Sequence, residues 1–569
     1  MPKHVVVIGA VALGPKAACR FKRLDPEAHV TMIDQASRIS YGGCGIPYYV
    51  SGEVSNIESL QATPYNVVRD PEFFRINKDV EALVETRAHA IDRAAHTVEI
   101  ENLRTGERRT LKYDKLVLAL GSKANRPPVE GMDLAGVTPV TNLDEAEFVQ
   151  HAISAGEVSK AVIVGGGFIG LEMAVSLADM WGIDTTVVEL ADQIMPGFTS
   201  KSLSQMLRHD LEKNDVVVHT GEKVVRLEGE NGKVARVITD KRTLDADLVI
   251  LAAGVSPNTQ LARDAGLELD PRGAIIVDTR MRTSDPDIFA GGDCVTIPNL
   301  VTGKPGFFPL GSMANRQGRV IGTNLADGDA TFPGAVGSWA VKLFEGSASG
   351  AGLTVEGALR EGYDAVNVHV EQFDRAHFYP EKTIMTLQLV VDRPTRRVLG
   401  IQGFSTLGDA LTARINAVAT MLASKPTVED ISNAEVVYSP PFASAMDIVN
   451  VAGNVADNVL AGRCRLVGTE EFVQLWEGRK DADICFVDTR LAANAVPLVE
   501  KYGDEWINIP EEELAARIDE IPRDKTVMLV CNTGLRSFES QLILDRLGLT
   551  NTKSVAGGMV AIHKIGGDI

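Results

Sequence analysis

The feature that most constrains this chain is a pattern met twice: an apolar strand, a glycine turn, a helix, a second apolar strand and a carboxylate at its end. In the first copy a strand over 5–8 leads into Gly9-Ala-Val-Ala-Leu-Gly14, a helix over 16–24 and a strand over 29–33 that ends at Asp34. In the second, 161–164 leads into Gly165-Gly-Gly167-Phe-Ile-Gly170, a helix over 171–181 and a strand over 185–188 that ends at Glu189. The order follows from chemistry. Small residues let the backbone approach a pyrophosphate, the helix N-terminus offers N–H donors, and the acid accepts from ribose hydroxyls. Glu189 would accept from a ribose 2′-hydroxyl and repel a 2′-phosphate, which favours NADH over NADPH. The first copy has Val11 where the middle glycine stands, so alone it fits a plain strand–turn–helix equally well. The second has all three glycines.

Two dinucleotide sites in one chain point to a flavin and a nicotinamide. A third element agrees: Asp287-Ile-Phe-Ala-Gly-Gly-Asp293 is an apolar strand whose glycines allow close approach to a ligand and whose Asp293 can hold a sugar hydroxyl. At about 100–200 residues per domain, 569 residues imply about three to five domains. The formal net charge of −19 argues against a nucleic-acid or anionic-membrane partner, while leaving room for a local basic pocket. No apolar run approaches the ~20 residues needed to span a bilayer. Six cysteines are too sparse for a disulfide scaffold, and none stand at Cys-x-x-Cys spacing, so no metal site is expected. With no charged leader before the first strand, the expectation is a cytoplasmic protein with reduced thiols.

These residues resemble the FAD-dependent pyridine nucleotide–disulfide oxidoreductases. Gly9, Gly14 and Asp34 match that family's FAD fingerprint, and Gly165, Gly167, Gly170 and Glu189 its NAD fingerprint. Leu116-Val-Leu-Ala-Leu-Gly121 matches a further strand with Leu120 in place of threonine, and 283–293 matches the second flavin motif. The resemblance implies an α/β fold. It divides into an FAD-binding domain over 1–150 and 266–330, an NAD-binding domain over 151–265 and an α+β dimerisation domain over 331–453. Both nucleotide domains would be Rossmann-like.

Dithiol members of the superfamily carry a cysteine pair after the first acid. Here Ser40-Tyr-Gly-Gly-Cys44-Gly-Ile-Pro-Tyr-Tyr offers only Cys44. A lone redox cysteine must cycle through a mixed disulfide, a persulfide or a sulfenic acid. The segment resembles the coenzyme A–disulfide reductase and NADH oxidase branch, as do 309–319, which include Asn315, and 434–454. That likeness implies a homodimer in which Tyr438 and Tyr379 reach the substrate thiol from the partner subunit. It implies coenzyme A contacts from Ser40, Lys22 and Asn315.

Residues 454–465 read as a linker, after which the chain changes character. A helix over 469–476 and a strand over 484–488 precede a helix over 511–518. A buried strand over 526–530 then ends at Cys531, followed by Asn-Thr-Gly-Leu-Arg536-Ser and a helix over 538–547. Consecutive backbone N–H groups, a helix N-terminus and Arg536 favour negative charge at one point, which should lower the Cys531 thiol from its reference of about 8.5. The stretch 466–569 resembles an α/β rhodanese domain with Cys531 to Arg536 as its active loop, although the usual Gly-His-Ile-Pro-Gly-Ala stretch is absent. A single-cysteine flavin reductase joined to a rhodanese resembles the NADH-dependent persulfide, polysulfide and coenzyme A–disulfide reductases. FAD, NADH and coenzyme A are the implied cofactors and carrier, and small thiols or persulfides the substrates. The alternatives are an NADH oxidase cycling Cys44 through sulfenic acid, and a sulfur-carrying redox sensor. Cys19, Cys294 and Cys485 read as packed thiols, and Cys464 lies in the linker.

Overall fold

The computed structural model describes residues 2–569. The chain forms two compact units, one of Met1–Leu190 with Glu222–Ala335 and one of Ala191–Gly221 with Val336–Ile569.

The first unit is organised by two parallel sheets. In one, Ile288–Ala290, Lys115–Leu118, His4–Ile8, His29–Ile33 and Glu81–Leu83 lie in that order. Val5, Val6 and Val7 are fully buried. A continuous apolar run of this kind suits a strand covered on both faces, as a parallel sheet demands. The helix Leu13–Leu24 covers one side with Leu13, Ala17 and Phe21, and the helix Gly311–Asn324 packs beside it. In the second sheet Asp184–Val188, Lys160–Val164, Leu248–Leu251 and Val137–Thr138 run parallel. The helix Phe168–Ala178 follows its glycine turn.

The second unit holds an antiparallel sheet in the order Trp339–Lys342, Ser347–Gly352, Val398–Ser405, Ile384–Asp392 and Ala365–Phe373. It is followed by a parallel one in the order Leu466–Val467, Thr552–Val555, Thr526–Val530, Ile484–Asp488 and Ile507–Asn508. Trp476 anchors one face of that last sheet. Its ring sits 5.0 Å, edge to face, from both Phe486 and Trp506, a geometry worth about 0.5–1.5 kcal/mol per pair beyond area burial.

Three boundaries differ from the expectations. The stretch 151–265 is not one block, because Ala191–Gly221 belongs to the second unit. Its helix Lys201–Lys213 buries Leu203, Met206, Leu207 and Leu211, and Ser200 and Ser202 bond Gln388 of the antiparallel sheet. The linker over 454–465 is mostly helix: Ile448–Leu460 is continuous, capped by Asp447 and packed through Ala452 and Ala456. Residues 511–518 hold two short 3-10 turns, Glu511–Glu513 and Ile518–Glu520, rather than a helix. The stretch still buries Leu514 and packs Ile518 against the core of the last sheet. Among the described residues no helix is long and apolar enough to cross a membrane.

Candidate functional site

Both glycine turns are built for close approach. Gly9 has φ +103° and a β-carbon there would lie 2.1 Å from Ala119 O, while one at Gly14 would lie 1.9 Å from Gly9 O. Gly165 (φ +115°) and Gly170 repeat this against Ala252 O at 2.3 Å and Gly165 O at 2.0 Å. These four glycines are dictated by the fold. Gly167 is not: its φ is −86°, and no protein atom lies within 4 Å of the β-carbon it lacks. A small residue with nothing of the protein against it fits a site that holds a nucleotide there.

The acids close both turns. Asp34 accepts from Ala10 N at 2.7 Å and Ala36 N at 2.9 Å, and burial pushes its carboxyl up. Glu189 is buried and accepts from Gly166 N at 2.6 Å. Gly121 (φ +65°) turns the chain so that Ser122 Oγ donates to Asp293 at 3.1 Å; burial pushes the Asp293 carboxyl up. Asp34 and Glu189 thus each bond a backbone N–H of the glycine turn they close, and Asp293 bonds the residue after Gly121.

Cys44 lies in the turn Gly43–Gly45 that runs into the helix Ile46–Ser51, with Pro47 in its first turn. The residue is exposed, and a β-carbon at Gly311 would lie 3.8 Å from its sulfur. Ser40 enters this turn at φ +53°, buried, with its N–H on Ala10 O. Ser176 Oγ donates to Pro47 O at 2.9 Å and Trp181 Nε1 to Val50 O at 2.8 Å. The cysteine helix is thus tied to the second fingerprint helix. That contact brings in Glu172, which the sequence reading missed. Desolvation pushes the Glu172 carboxyl up to about 7. Desolvation, then Glu172 and then Asp293 push the Cys44 thiol up. The available signal was an acid two residues past the third fingerprint glycine, on a helix that is otherwise largely apolar.

Two candidate coenzyme A contacts have other work. Lys22 Nζ donates to Pro26 O at 2.7 Å and Ala28 O at 2.6 Å and pairs with Asp79, closing the turn after its helix. Asn315 is exposed and its side chain bonds back to Gly311 O at 2.9 Å.

In the second unit Ala376 N donates to Pro440 O, joining the segments of Tyr379 and Tyr438. Tyr438 is half exposed beside exposed Val437 and Phe442, and Arg375 lies over the Tyr379 ring at 5.8 Å.

Cys531 ends the strand Thr526–Val530 and is buried. Gly534, at φ +99°, starts the helix Leu535–Arg546, three residues earlier than read from sequence, and its N–H donates to Cys531 Sγ at 3.1 Å. Ser537 Oγ lies 3.5 Å from the sulfur and 2.7 Å from Ser554 Oγ. Ser537, which follows Arg536 in the loop, is the sulfur's hydroxyl neighbour. Arg536 is exposed in the first turn and opposes the rise that desolvation and Glu539 impose on the Glu511 carboxyl. Cys294, Cys464 and Cys485 are buried and pushed up to about 11, 12 and 11 by desolvation. Among the described residues no group of three or more His, Cys, Asp or Glu side chains is placed to hold a metal ion.

Residues 3–306 match the family model described as pyridine nucleotide-disulphide oxidoreductase, and 340–449 match that family's dimerisation domain. A NAD-dependent persulfide reductase from A. fulgidus is 37% identical, with a TM-score of 0.92, and the match covers 98% of this chain and 99% of that one. A FAD-dependent pyridine nucleotide-disulphide oxidoreductase from Desulfovibrio vulgaris is 86% identical, with a TM-score of 0.67, over 80% of this chain and 100% of that one. The NAD(P)H sulfur oxidoreductase (CoA-dependent) of Pyrococcus abyssi is 34% identical over 453 residues, 80% of this chain and 98% of that protein.

Proposed function

Because this chain belongs to the pyridine nucleotide-disulphide oxidoreductases, FAD-dependent enzymes that use NAD(P)H, we propose that it is an NADH-oxidising reductase of persulfides, polysulfides or coenzyme A disulfide. In this reading Cys44 is the redox thiol and Cys531 a carrier of sulfane sulfur. The observation that carries it is the placing of Cys44, a free thiol at a helix start docked on the second fingerprint helix by Ser176 and Trp181, with Glu172 and Asp293 in its field. The names of the A. fulgidus and P. abyssi proteins support the substrate class.

The Cys44 thiolate attacks the carrier sulfur of coenzyme A persulfide. The S–S bond of the persulfide breaks, hydrosulfide leaves, and a Cys44–coenzyme A mixed disulfide remains. When bound, the nicotinamide and flavin supply the electron pair that cleaves this disulfide, and one proton completes the free coenzyme A thiol. Gly9, Gly14, Asp34, Gly121 and Asp293 hold the flavin nucleotide, and Gly165, Gly167, Gly170 and Glu189 the nicotinamide nucleotide. Ser40 borders the thiol. Tyr438 of the partner subunit in a homodimer, supported by the matched dimerisation domain, gives a proton to the coenzyme A sulfur as the mixed disulfide is cleaved or stabilises its thiolate, and Tyr379 is the second tyrosine reaching that thiol. The 466–569 domain acts as a rhodanese: the Cys531 thiolate attacks the outer sulfur of a sulfane donor, the donor's S–S bond breaks, the donor leaves as its thiolate or sulfite, and Cys531 holds a persulfide that it passes to a thiol acceptor. Gly534 N–H faces the charge and Arg536 draws in the donor. A cytoplasmic setting keeps both thiols reduced.

Anaerobic NADH oxidation with coenzyme A persulfide tests this in wild type, Cys44→Ser and Cys531→Ser. Sulfide should form with wild type and disappear with Cys44→Ser, and Cys531→Ser should lose only transfer from external donors. No sulfide from wild type, together with NADH oxidation in air, would replace this reading with an oxidase.

A further inference from the structure

The domain that carries Cys531 is fastened to the antiparallel sheet through a buried ion pair. Lys564, at the end of the helix Gly558–Lys564, donates to Glu371 Oε2 at 2.7 Å, Ile384 O at 3.0 Å and Thr386 Oγ1 at 2.9 Å. The Glu371 side chain has no exposed surface. Its other oxygen meets His369 Nε2 at 2.9 Å and Thr386 Oγ1 at 2.7 Å. Gln388 Nε2, which can only donate, lies 3.2 Å from His369 Nδ1, so that nitrogen accepts and Nε2 carries the proton given to Glu371. Gln388 in turn bonds Ser200 and Ser202.

The same short helix holds the sulfur loop at its other end. Met559 N donates to Cys531 O at 2.9 Å and Val560 N to Asn532 O at 3.0 Å. A β-carbon at Gly558 would stand 2.3 Å from Cys531 O, and one at Gly557 would stand 2.8 Å from His369 Nε2. Loop, helix and ion pair therefore form one rigid run. A seven-residue helix is about 10 Å long, so one short element joins Lys564 to the Cys531 carbonyl.

Resting on the sulfur-transfer reading of Cys531, the geometry points to Glu371, Lys564 and His369 as positioning residues for that thiol. They hold the 558–564 helix against the sheet and thereby fix the loop whose Gly534 N–H faces the sulfur. An ion pair specifies one alignment, where an apolar contact of similar size tolerates sliding. Glu371 is fully buried and Lys564 partly so, and Glu371 left alone would be an uncompensated buried charge, which is why the pair acts as a latch.

The test uses the full-length flavin-loaded protein, with thiosulfate as sulfur donor and cyanide as acceptor, read as thiocyanate. The variants are Glu371→Gln, Lys564→Met and Lys564→Arg. The pH profile of Cys531 alkylation by iodoacetamide is followed in each by peptide mass. Glu371→Gln and Lys564→Met should lower kcat roughly tenfold with KM for thiosulfate within about twofold, and should shift the alkylation midpoint. Lys564→Arg should restore most of both, and NADH oxidation with coenzyme A disulfide should stay at the wild-type rate. Flavin absorbance and circular dichroism of each variant, unchanged at the assay temperature, separate a displaced loop from loss of folding. Wild-type kcat and an unchanged alkylation profile in Glu371→Gln would overturn the proposal. So would a fall in both kcat and coenzyme A disulfide reduction that arginine does not rescue, because that marks plain loss of structure. If wild type makes no thiocyanate, the sulfur-transfer reading fails, and the alkylation profile alone decides whether the latch positions the thiol.

Discussion

Glu172 lies two residues past Gly170 on the helix Phe168–Ala178, with its carboxyl pushed up to about 7 by loss of solvent. A carboxyl raised to that range changes charge across neutral pH, and its charged form acts against a thiolate on Cys44. Replacing it with glutamine removes the charge and keeps the shape. In Glu172→Gln the Cys44 alkylation midpoint should fall by about half a pH unit, as expected for a charge interaction on the order of 1 kcal/mol. The gap from wild type should be widest above pH 7, where the wild-type carboxyl is charged, and should close toward pH 5. A midpoint that stays or rises would remove Glu172 from the field of the thiol. Ser537 and Glu172 share a reason for being hard to read in sequence. Each matters through a neighbour that the fold supplies, Ser554 and Cys531 for one and the docked Ile46–Ser51 helix for the other.

Within the glycine turn at the start of that helix, two glycines answer to different demands. At Gly170 the obstacle is the carbonyl of Gly165, 2.0 Å from the missing β-carbon, whereas at Gly167 there is only space. Gly170→Ala should cost about 1–3 kcal/mol in thermal or urea unfolding, because backbone cannot step aside. Gly167→Ala should leave the melting temperature of the nucleotide-free protein within about a degree while raising KM for NADH several-fold. Equal effects on stability at the two positions would contradict the assignment of that space to a ligand. The strands and helices of both fingerprints were legible because apolar runs, glycines and acids occur together, and His29–Ile33, Ile484–Asp488 and Thr526–Val530 stand where the residues placed them. Less was legible where partners decide. The Leu535–Arg546 helix begins early because Gly534 takes a left-handed turn. Residues 454–460 are helical because they continue the helix Ile448–Leu460, which packs through Ala452 and Ala456, and Lys22 is consumed by its own turn.

On the scale of the molecule, 193 residues separate Lys564 from Glu371, and no periodicity or motif links them. The pair makes a prediction about the whole chain. Burial alone would raise the Glu371 carboxyl; the Lys564 charge and the His369 hydrogen bond outweigh it and hold the group below its ordinary value. A carboxyl depressed in this way contributes stability above its unfolded value of about 4.3, and that contribution is lost as pH falls through the folded one. Breaking a buried pair from one side typically costs about 3–5 kcal/mol. Glu371→Gln should therefore destabilise the full chain by a few kcal/mol at pH 7, and by progressively less as the medium is acidified. In a chain ended at Arg465 the lysine is gone and Glu371 faces the uncovered sheet. The matched 453 residues span 98% of the P. abyssi protein, so the shortened chain has about the length of that relative. There Glu371→Gln should be neutral or stabilising, because it removes a charge that has lost its partner. The sign reversal between the two backgrounds, read from urea unfolding, isolates the coupling between the domains. The same cost in both would mean that Lys564 and Glu371 are neighbours without energetic linkage.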